Sequence, residues 1–471
     1  MIRNKILLAA LAAGLSAFGA ATIVIQNNDG AGEGFNDATP AAPVGGNAGV
    51  TLGQQRLNAF SHAAGIWGAT LTSSVTITIS ANFDPLTCSA SSAVLGSTGA
   101  NTAHRDFGGA PFTGTWYNQA LANKLTGSDQ SVGTADMQAT FNSNLGQTNC
   151  LTGTFFYLGL DNNHGANIDL VAVLLHEFGH GLGFASLTNP SSGVYCCSAG
   201  NRFPSIYDRF LRDNTSGLTW NNMANATARQ NSAINTGNLV WNGSNVIADA
   251  PGVIGRGEAV VVTSGLPVNV SGTYTGRQAA FGAAMSFPGL TADLMPVLDQ
   301  GSGPGCTAFN AVNTASVSGK IALIDRGTCS FSLKALNAQN AGAIGVIIAN
   351  NAGGAAPAVP YDGSAGVTIP VFSITQSDAT TLKSALAYRS RTRSGVVTTL
   401  RISNTTLVTT DANGRPQMYA PNPVEPGSSV SHWNTNLNRN QLMEPFINSD
   451  LTHSVVIPRD LTFSLLKDLG W

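Results

Sequence analysis

Residues 53–68, LGQQRLNAFSHAAGIW, carry Leu57, Phe60, Ala64 and Trp67 at helical spacing, which predicts an amphipathic helix. Residues 74–83, SVTITISANF, alternate with period two and predict a strand, and 135–142, ADMQATFN, predict another. Ahead of them, Ala21 to Ile25 reads as the first strand of the mature chain. The run 155–160, FFYLGL, leads into a polar turn at 161–165. Ile168 to Phe178 is too apolar for a surface helix and predicts a buried one, ending in the glycine-punctuated HEFGHGLGF. From 236 to 405 the texture changes to Val, Ile, Ala and Gly. Within it, GKIALIDRG, FSLKALNAQNAGA and AIGVIIANN read as strand, helix and strand, the pattern of a small α/β module. Residues 406–430 are loop-like, and PRDLTFSLLKDLGW predicts a closing amphipathic helix. No repeat of 20–50 residues is present, which excludes a solenoid.

A length of 471 residues implies two or three domains, or one domain with a large insertion. The net charge of −2 offers no basic excess to neutralise phosphates, so nucleic acid is not expected as a partner. Charged residues make up 10% of the chain, against roughly 25% in an average soluble protein. That composition suits a polar, weakly charged surface of the secreted, loop-rich kind. Arg3 and Lys5 precede the uncharged run Ile6 to Ala21, with small residues at its end, so residues 1–21 read as a secretory signal peptide. Extending the run to Ile25 reaches bilayer-spanning length, but the added residues read better as a strand. The expected location is therefore extracellular, or periplasmic in a bacterium, with no membrane span after cleavage. Six cysteines behind a signal peptide favour disulfides, and no CxxC pair suggests a cysteine zinc site. Cys306 and Cys329 share one segment and are the expected pair. Asp29, Glu33 and Asp37 lie in a Gly- and Asn-rich stretch; calcium there has no support beyond their charge, and a solvated loop is the simpler reading.

The chemistry lies in His176-Glu177-Phe178-Gly179-His180, an HExxH motif expected by chance only about 0.001 times in this composition. Residues four apart share a helix face, so both imidazoles can ligate one metal, with Glu177 placed to act as general base on water. A carboxylate and two histidines inside an otherwise apolar helix need a partner, and a metal supplies one. A catalytic zinc takes a third protein ligand. The compact pattern HExxHxxGxxH would place it at position 186, which is Ser186. Five other histidines remain: His62, His104, His164, His432 and His453. His164, in a polar turn, and Asp208 are alternatives to His432.

His432 stands in the context Ser431-His432-Trp433, with Met443 eleven residues on, and Gly183-Phe184 follow the motif. Together these residues resemble leishmanolysin, a metzincin whose third histidine is separated from HExxH by a long insertion. The resemblance covers about residues 50–235 and 406–471. It implies zinc ligands His176, His180 and His432, one catalytic zinc, Glu177 as catalytic base, and Met443 in the Met-turn beneath the metal. The gap from His180 to His432 is 252 residues, far longer than in that family.

Residues 318–351 account for the gap. Arg326, Gly327, Cys329, Phe331, Lys334, Asn337, Ala338 and Gly342 resemble the signature of the protease-associated (PA) domain, with a core at about 290–390. PA domains are non-catalytic modules of secreted hydrolases, and the resemblance implies contact with substrate or partner. Arg326 and Lys334 are expected in internal or surface ion pairs. The expected architecture is α+β: a metzincin-like zinc protease domain at 22–235 and 406–471, interrupted by an insertion at 236–405. The expected function is a secreted zinc endopeptidase acting on proteins or peptides, with strand 135–142 pairing with the substrate. A non-proteolytic zinc hydrolase and a catalytically silent PA-mediated binder are the rival readings. No GxSxG elbow, P-loop or cysteine-bearing prosegment offers other chemistry.

Overall fold

The computed structural model describes residues 20–197, 200, 202–264, 270–286, 288–354, 356–360, 363 and 366–471. The signal-peptide reading falls on residues 1–19, outside the described residues, apart from Ala20 and Ala21. The chain forms two compact units: one runs to Ile254 and resumes over Thr409–Trp471, and the other is Gly255–Val408.

The first unit contains β1 (Ile23–Asn27), α1 (Leu52–Thr70), β2 (Ile77–Asp84), β3 (Gly96–Ala100), β4 (Met137–Asn142) and α2 (Leu170–Leu182). Its sheet has the order β1-β2-β4-β3, with β3 alone antiparallel to its neighbour. Thr51 caps α1 by accepting from the Gln54 N–H at 3.2 Å. Phe60, Ala64 and Trp67 are buried as the spacing predicts, while Leu57 is 38% exposed along an open groove beside β1. Phe60 meets Phe35 and Phe141 edge-on, and the Trp67 indole donates to the Leu175 carbonyl at 3.1 Å, which fixes α1 against α2. The strand predicted at 135–142 forms as β4, but it lies between β2 and β3 with both edges paired. It cannot accept an extended peptide; the free edge on that side belongs to β3.

Residues 236–254 were expected in the insertion but fold with the first unit. The helix Ser244–Val253 packs on the closing helix Thr462–Leu469. Asp249 accepts from the Ser464 hydroxyl at 2.6 Å and pairs with Lys467 at 3.0 Å, and Asp468 accepts from the Asn245 N–H at 2.7 Å. Composition does not report such long-range pairing.

The second unit is a closed barrel. Its strands are β5 (Arg256–Ser264), β6 (Gly272–Gln278), β7 (Leu290–Pro296), β8 (Ile321–Asp325), β9 (Gly345–Ala349), β10 (Val371–Ile374) and β11 (Val397–Leu407), in the order β5-β6-β10-β9-β8-β7-β11. Helix α3 (Phe331–Asn340) links β8 to β9, and α4 (Gln376–Leu386) follows β10. The strand–helix–strand prediction is met by β8, α3 and β9, whose parallel pairing requires such a crossover. Ile321, Leu323, Ile347, Phe372 and Leu400 pack with Leu382 of α4, and Ile324, Val346 and Ile348 pack with Ala335 and Ala338 of α3. Cys306–Cys329 is a disulfide, as are Cys88–Cys150 and the neighbours Cys196–Cys197. Lys334 is fully buried, with its ammonium on the Pro304 carbonyl, and Arg326 donates to Asn350 Oδ1 at 3.2 Å.

Candidate metal centre

Helix α2 is built to be buried. Asp169 caps it, its Oδ1 accepting from the Val171 and Ala172 N–H groups at 2.8 and 3.3 Å, and all thirteen residues are buried. It ends where Gly183 adopts φ +125°, which lets the Phe184 N–H turn back to the Gly179 carbonyl at 3.0 Å.

The turn sets up the metal ligands. His180 Nδ1 lies 2.7 Å from the Phe184 carbonyl, His176 Nδ1 lies 2.7 Å from the Leu442 carbonyl, and His432 Nδ1 lies 2.8 Å from the Ser428 carbonyl. A carbonyl can only accept, so each Nδ1 carries the proton and each Nε2 presents a lone pair. The three Nε2 atoms stand 3.1, 3.2 and 3.3 Å apart. Three acceptors facing one another repel unless a cation lies among them. Zinc–nitrogen bonds of about 2.05 Å in tetrahedral geometry hold ligand atoms about 3.3 Å apart, so the residues fit Zn²⁺. Burial lowers the His176 pKa to about 4 and, with the neighbouring imidazole, that of His180 to about 3. Burial and its two neighbours hold His432 well below the usual range. All three are neutral at physiological pH, the form that ligates metal.

His432 arrives from far along the chain on a shaped segment. Val430, a β-branched residue, sits at φ +65°, with its N–H on the Tyr419 carbonyl at 2.8 Å and its carbonyl accepting from the Tyr207 hydroxyl at 3.1 Å. Ser186, at the position of the compact motif's third histidine, anchors this segment instead. Its N–H donates to Ser431 Oγ at 3.1 Å, and its hydroxyl donates to buried Asp208 at 2.6 Å.

Glu177 is buried beside the edge strand β3, where Gly96 leaves room for its side chain. Burial pushes its pKa up to about 8, against hydrogen bonding from Thr98. Met443 is fully buried, and its sulfur lies 2.9 Å from where a Cβ at Gly179 would stand. Asp460 accepts from the Leu442 N–H at 2.6 Å and Glu444 from the Gln441 N–H at 2.9 Å, which braces the turn bearing Met443 and the Leu442 carbonyl.

The other candidates lie elsewhere. His164 is half-buried, with Nδ1 on the Asn167 carbonyl at 2.7 Å. His453 pairs with Asp169 at 2.9 Å, and its ring lies 5.9 Å from that of His62. His104 contacts the Thr102 and Ser131 hydroxyls. Asp208 accepts from Ser186, Thr188 and Ser205 and ligates nothing in the triad. Asp29 caps the Phe35 and Phe83 N–H groups, Glu33 accepts from Gly30, and Asp37 pairs with Arg56, so each has a protein partner. Among the described residues, no helix is long and apolar enough to cross a membrane. Thr98, Asp460 and Glu444 carried no sequence signal; the Asp169 cap was legible as an N-cap before an apolar run.

Residues 290–382 match the PA domain family, entirely within the second unit and outside the histidine triad. A 48-residue stretch is 52% identical to vacuolar-sorting receptor 5 of Arabidopsis thaliana, covering 10% of this chain and 8% of that protein. A 124-residue stretch is 39% identical to aminopeptidase YwaD of Bacillus subtilis, covering 25% of this chain and 26% of that protein. Among solved structures, a zinc aminopeptidase from Bacillus subtilis aligns over 34% of this chain and 36% of its own at 25% identity, with a TM-score of 0.22. Each likeness thus spans well under two thirds of the relative's own length. The chain is an α+β protein carrying a PA domain and a three-histidine site that fits zinc.

Proposed function

We propose that the protein is a secreted zinc endopeptidase of the leishmanolysin-like metzincin kind, with its PA domain in an insertion between two parts of the catalytic domain. The observation that carries this reading is the convergence of three Nε2 lone pairs within 3.3 Å of one another, with Glu177 on the same helix. His176, His180 and His432 would hold the ion. Bound there, zinc supplies Lewis acidity, lowering the pKa of water and polarising a substrate carbonyl. Glu177 takes the proton of the attacking water and passes it to the leaving amine. A dication beside it favours its carboxylate form over the protonated form that burial promotes. Met443 supports the underside of the motif helix.

Strand β3 is the supporting feature for cleavage within a chain. As a free antiparallel edge beside Glu177, it offers a row of backbone groups to an extended polypeptide, which then passes the site along its length. Ser97 and Gly99 point outward, while Thr98 faces α2.

The test is digestion of unfolded casein by the wild type and by Glu177→Ala, with metal content measured for both. The reading expects about one zinc in each, internal cuts by the wild type and none by the variant. Stepwise loss from the amino terminus would replace endopeptidase with aminopeptidase. Zinc in both with no cleavage by either would leave a metal site without a peptidase.

A further inference from the structure

Charge is divided unevenly between the two units. Residues 255–408 hold ten basic and six acidic residues, a net of +4, and the rest of the chain has thirteen and nineteen, a net of −6. Four of the ten lie within eleven residues free of any acid: Lys383, Arg389, Arg391 and Arg393. Lys383 is paired with Asp325, and Arg389 closes the end of α4 on the Leu386 carbonyl at 3.2 Å. Arg391 and Arg393 are exposed, and among the described residues no carboxylate pairs with either.

The segment that bears them is a closed turn. The Ser390 N–H donates to the Arg393 carbonyl at 2.8 Å, its hydroxyl donates to the same carbonyl at 3.0 Å, and the Arg393 N–H donates to that hydroxyl at 3.0 Å. Beside it stands Tyr388, 68% exposed, a large aromatic ring left in water. A fixed turn loses little entropy on binding. Guanidinium forks read carboxylates through paired N–H groups, and arginine and tyrosine are, with tryptophan, the side chains enriched at protein contact hot spots. Two guanidinium groups without a carboxylate partner among the described residues, on a chain of net negative charge, are too few to hold a nucleic acid.

We propose that the Tyr388–Arg393 turn of the PA-bearing unit is a docking site for acidic stretches of polypeptide. The partner's being a polypeptide rests on the peptidase reading; the anionic chemistry does not. The test uses the full chain and a fluorescent glutamate-rich peptide at 0.15 M ionic strength, about physiological. Arg391→Gln/Arg393→Gln is expected to weaken binding at least about tenfold, Tyr388→Ala several-fold, and Arg391→Lys/Arg393→Lys to an intermediate degree. All three positions are exposed, so thermal melting should be unchanged and a folding defect is excluded directly. Carried out in the Glu177→Ala background, the binding assay does not depend on catalysis. In the active chain, the Gln variant is expected to raise KM for an acidic protein substrate while leaving kcat, and cleavage of a short neutral peptide, unchanged. Equal binding by wild type and the Gln variant would overturn the assignment. So would no binding by the wild type, or tighter binding of heparin or single-stranded DNA than of the acidic peptide.

Discussion

Replacing Gly179 with alanine tests the contact between the motif helix and Met443. The added methyl would meet Met443 Sδ at 2.9 Å, Cε at 3.4 Å and Thr462 Cγ2 at 3.7 Å. Overpacking of this kind costs about 1–3 kcal/mol. Alanine in a helix interior returns about 1 kcal/mol relative to glycine, so the net expectation is a loss of about 0–2 kcal/mol. Met443→Ala, at a fully buried position, is expected to lose about 2–5 kcal/mol through the cavity it leaves. In the double variant the methyl at 179 faces space that the methionine has vacated. The overpacking disappears and only the propensity gain remains, so the double variant should be more stable than Met443→Ala alone. The coupling is therefore about 1–3 kcal/mol in favour of the pair. Urea unfolding followed by tryptophan fluorescence measures it, because all six tryptophans lie outside residues 255–408 and report the first unit alone. Metal-free and zinc-saturated samples give two independent cycles. Effects that add within about 0.5 kcal/mol would show that Met443 does not rest on Gly179.

Further outcomes follow from the burial of the histidines and from the disulfides. With His176 depressed to about 4 and His180 to about 3, protons do not compete for the Nε2 atoms until pH falls well below 6.5; the protein should keep its zinc after dialysis at pH 5.5, and loss near pH 6.5 would contradict the burial argument. In the metal-free protein the same depression means that the unfolded chain binds these protons first, so this contribution to stability is intact above pH 6.5 and is lost as pH falls through about 4 toward about 3. The Cys88–Cys150 bridge spans 62 residues, a closure worth about 4 kcal/mol. Cys88→Ala/Cys150→Ala should lower the tryptophan-detected midpoint accordingly, whereas Cys306→Ala/Cys329→Ala, in the other unit, should leave it unmoved.

What was legible in the sequence was what depends on short spacing. His176, Glu177 and His180 share a helix because residues four apart must, and the apolar run before them shows that the helix is buried. The β8–α3–β9 unit was legible for a similar reason, since strand and helix periods alternate within 35 residues. Pairings between distant segments were not. The period-two pattern of 135–142 shows a half-buried strand, yet whether it is central or an edge depends on β3, forty residues earlier in the chain. Residues 236–254 share the texture of the insertion, and only their capping contacts with Asp468 and Lys467 reveal where they belong. Cys196 and Cys197 gave no sign of pairing with each other rather than with the other cysteines.

His432 is the instructive case, because no local rule links it to a motif 252 residues away. Its place follows from how the intervening unit closes. β5 and β11, the first and last strands of the barrel, pair antiparallel with each other, and the Val408 N–H donates to the Gly255 carbonyl at 2.9 Å. The two ends of the insertion therefore emerge side by side. To the first unit it behaves as a short connection, since the entropy of closing a long loop is met by the barrel's own folding. Thr409 follows directly on that pairing; Gln417 then pairs back onto Val240, already in place, and Trp433 pairs with Met418 within the resumed segment. A ligand so distant in sequence is then as firmly placed as one ten residues away. By this argument the number of inserted residues is irrelevant to the metal site, provided the inserted unit brings its ends together. Shortening the insertion without preserving the β5–β11 pairing should therefore do more harm to His432 than removing it entirely and joining Ile254 to Thr409.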